Sequence, residues 1–260
     1  MLMTVRVFSA LATCLLGTVS LAADAESVTI AVASNFTTTL HDLVTRFEAE
    51  SGQSVRLSSA STGMLYAQIT NGAPFDVLLA ADAERPRLLE AAGHGVAGSR
   101  FTYAIGHLVL WSRNPALTGA DCRAQLENFG QQRLAIANPD TAPYGAAARE
   151  TLMGLDLWER VQPQLVVGRN IAQTLQYVAS GNASLGFIAG NQALDNRLPN
   201  ATCSWPVPPE LHDAIEQQAI LLQRAAENPV AVDFLSFLRD AAGRTIIEHN
   251  GYTVPGSVLP

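Results

Sequence analysis

The feature that most limits how this chain can fold is a buried strand that ends in two small polar residues and turns into a helix. Residues 29–36 read Thr-Ile-Ala-Val-Ala-Ser-Asn-Phe. From Val28 to Ala33 the residues are apolar or small, with no charge, as a parallel strand covered on both faces requires. Ser34 and Asn35 then fall where the first turn of a helix begins. There they can cap that turn or point outward and donate hydrogen bonds. The free N–H groups of a helix start and the positive end of its dipole favour an anion.

The same event recurs along the chain. Thr37–Glu50 has Leu40, Leu43, Val44 and Phe47 on one helical face, and Gly52 closes it. Val55–Ser59 is the second predicted strand, and Ser61-Thr62-Gly63 opens a helix over Met64–Asn71. Asp76–Ala81 is a third strand, with Asp82 capping a helix over Ala83–Ala92. Phe101–Trp111 is a longer extended piece that crosses to a second lobe. Arg133–Ala137, Leu165–Val167 and Leu185–Ala189 are further strands. Helices begin near Tyr144-Gly145 and at Asn170-Ile171, ending near Gly154 and Ala179. Residues 196–210 read as loop, Ala214–Gln223 as a return crossing, and Pro229–Ala242 and Arg244–Asn250 as closing helices. This alternation predicts an α/β protein of two lobes, each a mixed but mostly parallel sheet, joined by two hinge strands. Lobe 1 is discontinuous (26–106 and 215–260) and lobe 2 spans 107–214. In open α/β sheets ligands sit at the carboxyl ends of strands. Two helix starts from each lobe would meet there.

Composition narrows the chemistry. The net charge of −7 argues against broad attraction to nucleic acid or anionic lipid. All sixteen basic residues are Arg, which excludes any mechanism that needs Lys: a Schiff base, a P-loop Lys, or a Ser-x-x-Lys nucleophile. There is no Gly-x-Ser-x-Gly elbow, and the five histidines show no metal-ligand spacing. Gly93-x-Gly95-x-x-Gly98 matches a dinucleotide pattern by letter, but it follows a helix and reads as a loop. No cofactor is expected. Met1 to about Ala25 has the form of a secretory signal peptide, with Arg6, a short apolar core, and small-x-small cleavage sites after Ala22 or Ala25. The exported chain keeps Cys122 and Cys203, which are either one disulfide or two half-buried thiols.

With these residues in view, the chain resembles the periplasmic molybdate-binding proteins of bacterial ABC importers over nearly all of its exported length. The resemblance lies in Ala33-Ser34-Asn35-Phe36, Ser61 through Ile69, Gly72 through Val77, Phe101 through Gly106, and Asn138-Pro139 through Tyr144-Gly145. It implies a type II periplasmic binding protein fold and a tetrahedral oxyanion in the cleft. It also implies a periplasmic, monomeric, non-enzymatic receptor that binds molybdate and tungstate and delivers them to a membrane permease. Position by position it implies ligand contacts from Ser34, Asn35, Thr62, Tyr144 and the backbone N–H of Ile171. Ser61, Asn170 and Gly63 stand behind them. Where one branch of the family has a late-strand Tyr, this chain has Ala189, which leaves that side to Tyr144. The alternatives are a receptor for another tetrahedral oxyanion such as sulfate or phosphate, an exported hydrolase or transferase on a related fold, and a sensor or adaptor with a different partner.

Overall fold

A computed structural model describes residues 27–195 and 200–256; the predicted signal segment, 1–25, lies outside the described residues. The first lobe begins with β1 (Ser27–Ala33), a 3-10 turn at Ser34–Phe36, α1 (Thr37–Ser51), β2 (Ser54–Ala60), α2 (Thr62–Thr70), β3 (Val77–Leu79) and α3 (Glu84–Ala91). The chain leaves it along β4 (Phe101–Gly106) and enters the second lobe as β5 (Leu108–Ser112). There follow α4 (Cys122–Glu127), β6 (Leu134–Ala137), α5 (Pro143–Gly154), α6 (Trp158–Val161), β7 (Leu165–Gly168), α7 (Ile171–Ala179), β8 (Leu185–Ala189), α8 (Gly190–Ala193) and β9 (Cys203–Pro206). β10 (Ile215–Leu221) returns to the first lobe, which α9 (Pro229–Arg239) and α10 (Ala241–His249) complete.

Both lobes share one plan. The first sheet has the order β2-β1-β3-β10-β4 and the second β7-β6-β8-β5-β9. In each, four strands run in one direction and only the fourth in the order, β10 in the first sheet and β5 in the second, runs against them. β1 and β3 are covered on both faces, which is why their sequences carry no alternation, whereas the edge strand β2 is partly exposed and carries Arg56. Val28, Ile30 and Val32 of β1 pack with Phe36, Leu40, Phe47 and Phe234, while Ala31 turns to the opposite face with Leu65, Ile69, Leu78 and Leu89. Phe36 meets the rings of Tyr103 and Tyr252 edge-on at 4.8 and 5.2 Å, which fixes the turn that follows β1.

Several elements differ from the sequence expectation. The extended piece over Phe101–Trp111 is two strands broken at His107, because the chain changes sheets there. The region read as loop contains β9, whose four residues, Cys203–Pro206, are too few to show a strand pattern in a Pro-rich stretch. It is a strand because it pairs with β5, Ser112 opposite Cys203, and because Cys203 is tied to Cys122. The helix expected to run to Ala242 stops at Arg239, since the Asp240 carboxylate accepts the Gly243 N–H at 2.8 Å and so starts α10.

The Cys122–Cys203 disulfide joins residues 81 apart in sequence, with Cα atoms 5.4 Å apart. It closes a long loop and anchors an edge strand. Replacing both cysteines by serine is expected to lower stability by about 2–4 kcal/mol. Thermal or denaturant unfolding of the double variant beside the oxidised parent checks this.

Candidate anion-binding site

The site is built from strand ends. Ala33 ends β1 with Ser34 and Asn35 after it, Ser61 and Thr62 follow β2, and Ala81 follows β3. From the other lobe, Ala142, Pro143 and Tyr144 follow β6, and Ile171 follows β7. These ten residues line one small cavity of about 10 Å³ between the lobes. That is below the 300–1,000 Å³ of pockets for drug-sized ligands, so the occupant is small. No Asp, Glu, Arg or His is among the lining residues. A wider groove shares Ser34 and Asn35 and opens toward solvent past Thr37, Asp42, Gln176 and Asn191. It has acidic side chains and lacks the converging helix starts, so it suits an approach to the cavity better than a seat.

All five residues assigned to ligand contact, Ser34, Asn35, Thr62, Tyr144 and Ile171, line this cavity, and all are buried. Their local geometry divides them. The Thr62 hydroxyl oxygen accepts the Ala81 N–H at 3.0 Å, which leaves its proton free to donate inward. The Asn35 amide does not face a ligand: its nitrogen donates to Gln217 Oε1 at 2.8 Å and to Tyr252 Oη at 3.1 Å. Its place at the start of a 3-10 turn leaves the backbone N–H as what it can offer. Burial, and after it the nearby phenols, push the Tyr144 hydroxyl well above the usual tyrosine range, so it stays a neutral donor. Burial likewise raises Tyr103 and Tyr252.

The three supporting residues also separate. Ser61 lines the cavity, and its buried hydroxyl has no protein partner, which places it with the donors. Asn170 and Gly63 do not line it. The Asn170 side chain caps α7 by accepting the Gln173 N–H at 2.9 Å. Gly63 donates its N–H to the Thr141 carbonyl of the opposite lobe at 2.8 Å. Also crossing between the lobes are the bonds from Asn191 Nδ2 to the Asn35 main-chain carbonyl at 2.8 Å and from the Arg85 guanidinium to the Asp140 carbonyl at 3.3 Å. Sequence reasoning missed Gln217, Tyr103 and Tyr252, the buried polar layer behind Asn35 and Tyr144.

A variant separates the two tasks of Thr62. Thr62→Val keeps the shape but orphans the Ala81 N–H and removes one donor to the cavity. It is expected to lose about 1–3 kcal/mol of stability and at least about tenfold in oxyanion affinity, whereas Thr62→Ser keeps both. Melting curves and calorimetric titration of the pair provide the check.

Two antiparallel-edged α/β lobes, with a small donor-lined cavity between them, define a solute receptor. The family model for bacterial extracellular solute-binding proteins matches residues 28–253, and the chain belongs to that family. Among curated relatives, the molybdate-binding protein ModA of Azotobacter vinelandii is 44% identical over 236 residues, covering 91% of this chain and 93% of that protein. The ModA of Rhodobacter capsulatus is 41% identical over 236 residues, 90% of each. The solved structure of the Azotobacter vinelandii periplasmic molybdate-binding protein superposes with a TM-score of 0.83 at 37% identity, covering 88% of this chain and 99% of that one. The sulfate-binding protein SubI of Mycobacterium tuberculosis shares the fold, with a TM-score of 0.71 at 14% identity.

Proposed function

We propose that this protein is an exported, periplasmic receptor that captures molybdate or tungstate between its lobes and presents it to the permease of an ABC importer. The observation that carries the reading is the convergence of helix starts from both lobes on one small cavity lined by donors and free of carboxylates. The names of the relatives agree with it.

The energetics suit a tetrahedral dianion. Molybdate is all acceptor at neutral pH, and the hydroxyls of Ser34, Ser61, Thr62 and Tyr144, with backbone N–H groups at the helix starts, are all donors. Each charge-assisted bond contributes about 1.5–3 kcal/mol. Six or seven sum to roughly 10–20 kcal/mol, against roughly 4–15 for association. The difference accommodates sub-micromolar binding, which needs about −8 kcal/mol. Sulfate is smaller and would leave buried donors unpaired at about 1–3 kcal/mol each. Protonated phosphate would bring a proton for which the lining holds no carboxylate or imidazole. Tungstate matches molybdate in charge and size and is accepted as well. The reading includes no catalysis, since the cavity lining holds no nucleophile–base pair.

Calorimetric titration of the exported chain with molybdate, tungstate, sulfate and phosphate tests this. Tight binding of the first two and weak binding of the others is expected. Equal affinity for sulfate, or no heat with molybdate, defeats the proposal.

A further inference from the structure

Gln217 lies on the return strand β10, fully buried, next to a register shift between Gln217 and Gln218. Its Oε1 is 2.8 Å from Asn35 Nδ2 and 3.2 Å from Tyr103 Oη, and its Nε2 is 3.4 Å from Tyr144 Oη. A count of protons fixes which way each amide faces. The Asn35 main-chain carbonyl receives the Tyr252 hydroxyl at 3.0 Å, which uses the one proton that phenol has. The Tyr252 oxygen can then only accept, so the Asn35 atom facing it at 3.1 Å is the nitrogen. The other hydrogen of that nitrogen meets Gln217, which must present its oxygen. The Gln217 nitrogen is thereby turned on Tyr144. A donor occupies the hinge side of the Tyr144 oxygen, and the phenol's own proton is left to point into the cavity, whose wall Tyr144 forms. Gly106, on the other hinge strand, leaves room for this: a Cβ there would stand 2.2 Å from Tyr144 Oη and 2.9 Å from Gln217 Nε2.

We propose that Gln217 is a positioning residue for oxyanion binding: from the hinge strand of lobe 1 it aims the hydroxyl proton of Tyr144, on lobe 2, at the ligand. The proposal rests on the receptor reading above. It makes the contribution of the second lobe depend on the return hinge strand.

A double-mutant cycle tests it. Gln217→Met is titrated with molybdate in the parent and in a Tyr144→Phe background, with melting temperatures measured alongside. The expected result is a loss of about tenfold in the parent and less than about twofold once the phenol is gone, since no proton is then left to aim. The same loss in both backgrounds means that Gln217 only supports the fold, and overturns the proposal. Should Gln217→Met fail to fold, Gln217→Asn serves the same cycle, because its amide is withdrawn from Tyr144 by one methylene. Absence of heat with the parent overturns the receptor reading and this proposal together, whereas parent binding with additive losses overturns this proposal alone.

Discussion

Ser34→Asp is expected to abolish molybdate binding at pH 7–8, with a loss of at least a thousandfold. Ser34 borders a cavity whose lining carries no formal charge, and it is itself 8% exposed. A carboxylate there would face a dianion at close range. At about 4 Å and an effective dielectric near 20, one negative charge against two costs about 8 kcal/mol. A thousandfold loss corresponds to about 4 kcal/mol, so the prediction survives a twofold overestimate. The variant relieves part of the repulsion by taking up a proton, because burial raises a carboxyl pKa, and some affinity should return as the pH falls toward 5. Calorimetry at pH 8 and pH 5.5, with a melting curve to show that the fold is kept, is the measurement. Affinity within tenfold of the parent at pH 8 would place the anion somewhere other than this cavity.

Gly145→Ala is expected to damage fold and site together. Gly145 lies in the first turn of α5, immediately after Tyr144, and donates its N–H to the Ala142 carbonyl at 2.8 Å. A Cβ on it would stand 2.3 Å from the Ala137 carbonyl oxygen and 2.8 Å from the Asn138 carbonyl carbon. Both are backbone atoms at the end of β6, so no flexible side chain can yield. Overpacking of well-filled sites costs about 1–3 kcal/mol and sometimes more. A backbone collision belongs at the upper end, about 3–5 kcal/mol, among the few mechanisms that give such values. Whatever relieves the clash moves α5 away from the strand and carries Tyr144 out of the cavity wall. Unfolding and titration of the one variant should both shift, and a protein that melts near the parent temperature and binds as tightly would refute the account.

Most of the fold and the cavity lining could be read from the chain because each rests on local chemistry. Charge-free strands and hydroxyl or amide residues at helix starts are both visible in a short window. The small size of Gly145 and the capping by Asn170 belong to the same local grammar. What escaped depends on contacts distant in sequence. β9 is a strand by virtue of β5 and Cys122. Asn35 reads as a side-chain donor until Tyr252 and Gln217, 217 and 182 residues further on, claim its nitrogen. Gly63 reads as a helix-start residue until Thr141 arrives from the other lobe. One signal was available and unused. Over the first five residues of β10 the buried positions alternate at Ile215, Gln217 and Ala219, so the period of two already places a polar amide in the core. A buried amide on a crossing strand calls for partners, and here they are the site.

The main-chain bond from Gly63 to Thr141 bears on how long the ligand stays. It has no side chain to rotate away, and a Cβ at position 63 would sit 3.0 Å from the Thr141 main chain, so the two turns are as close as their backbones allow. Parting the lobes would break this bond, so it favours the arrangement seen here whether or not an ion is inside. On the receptor reading, escape of an ion would wait for this clasp to part. Residence time, more than the rate of capture, is then the quantity that this stretch of backbone would govern.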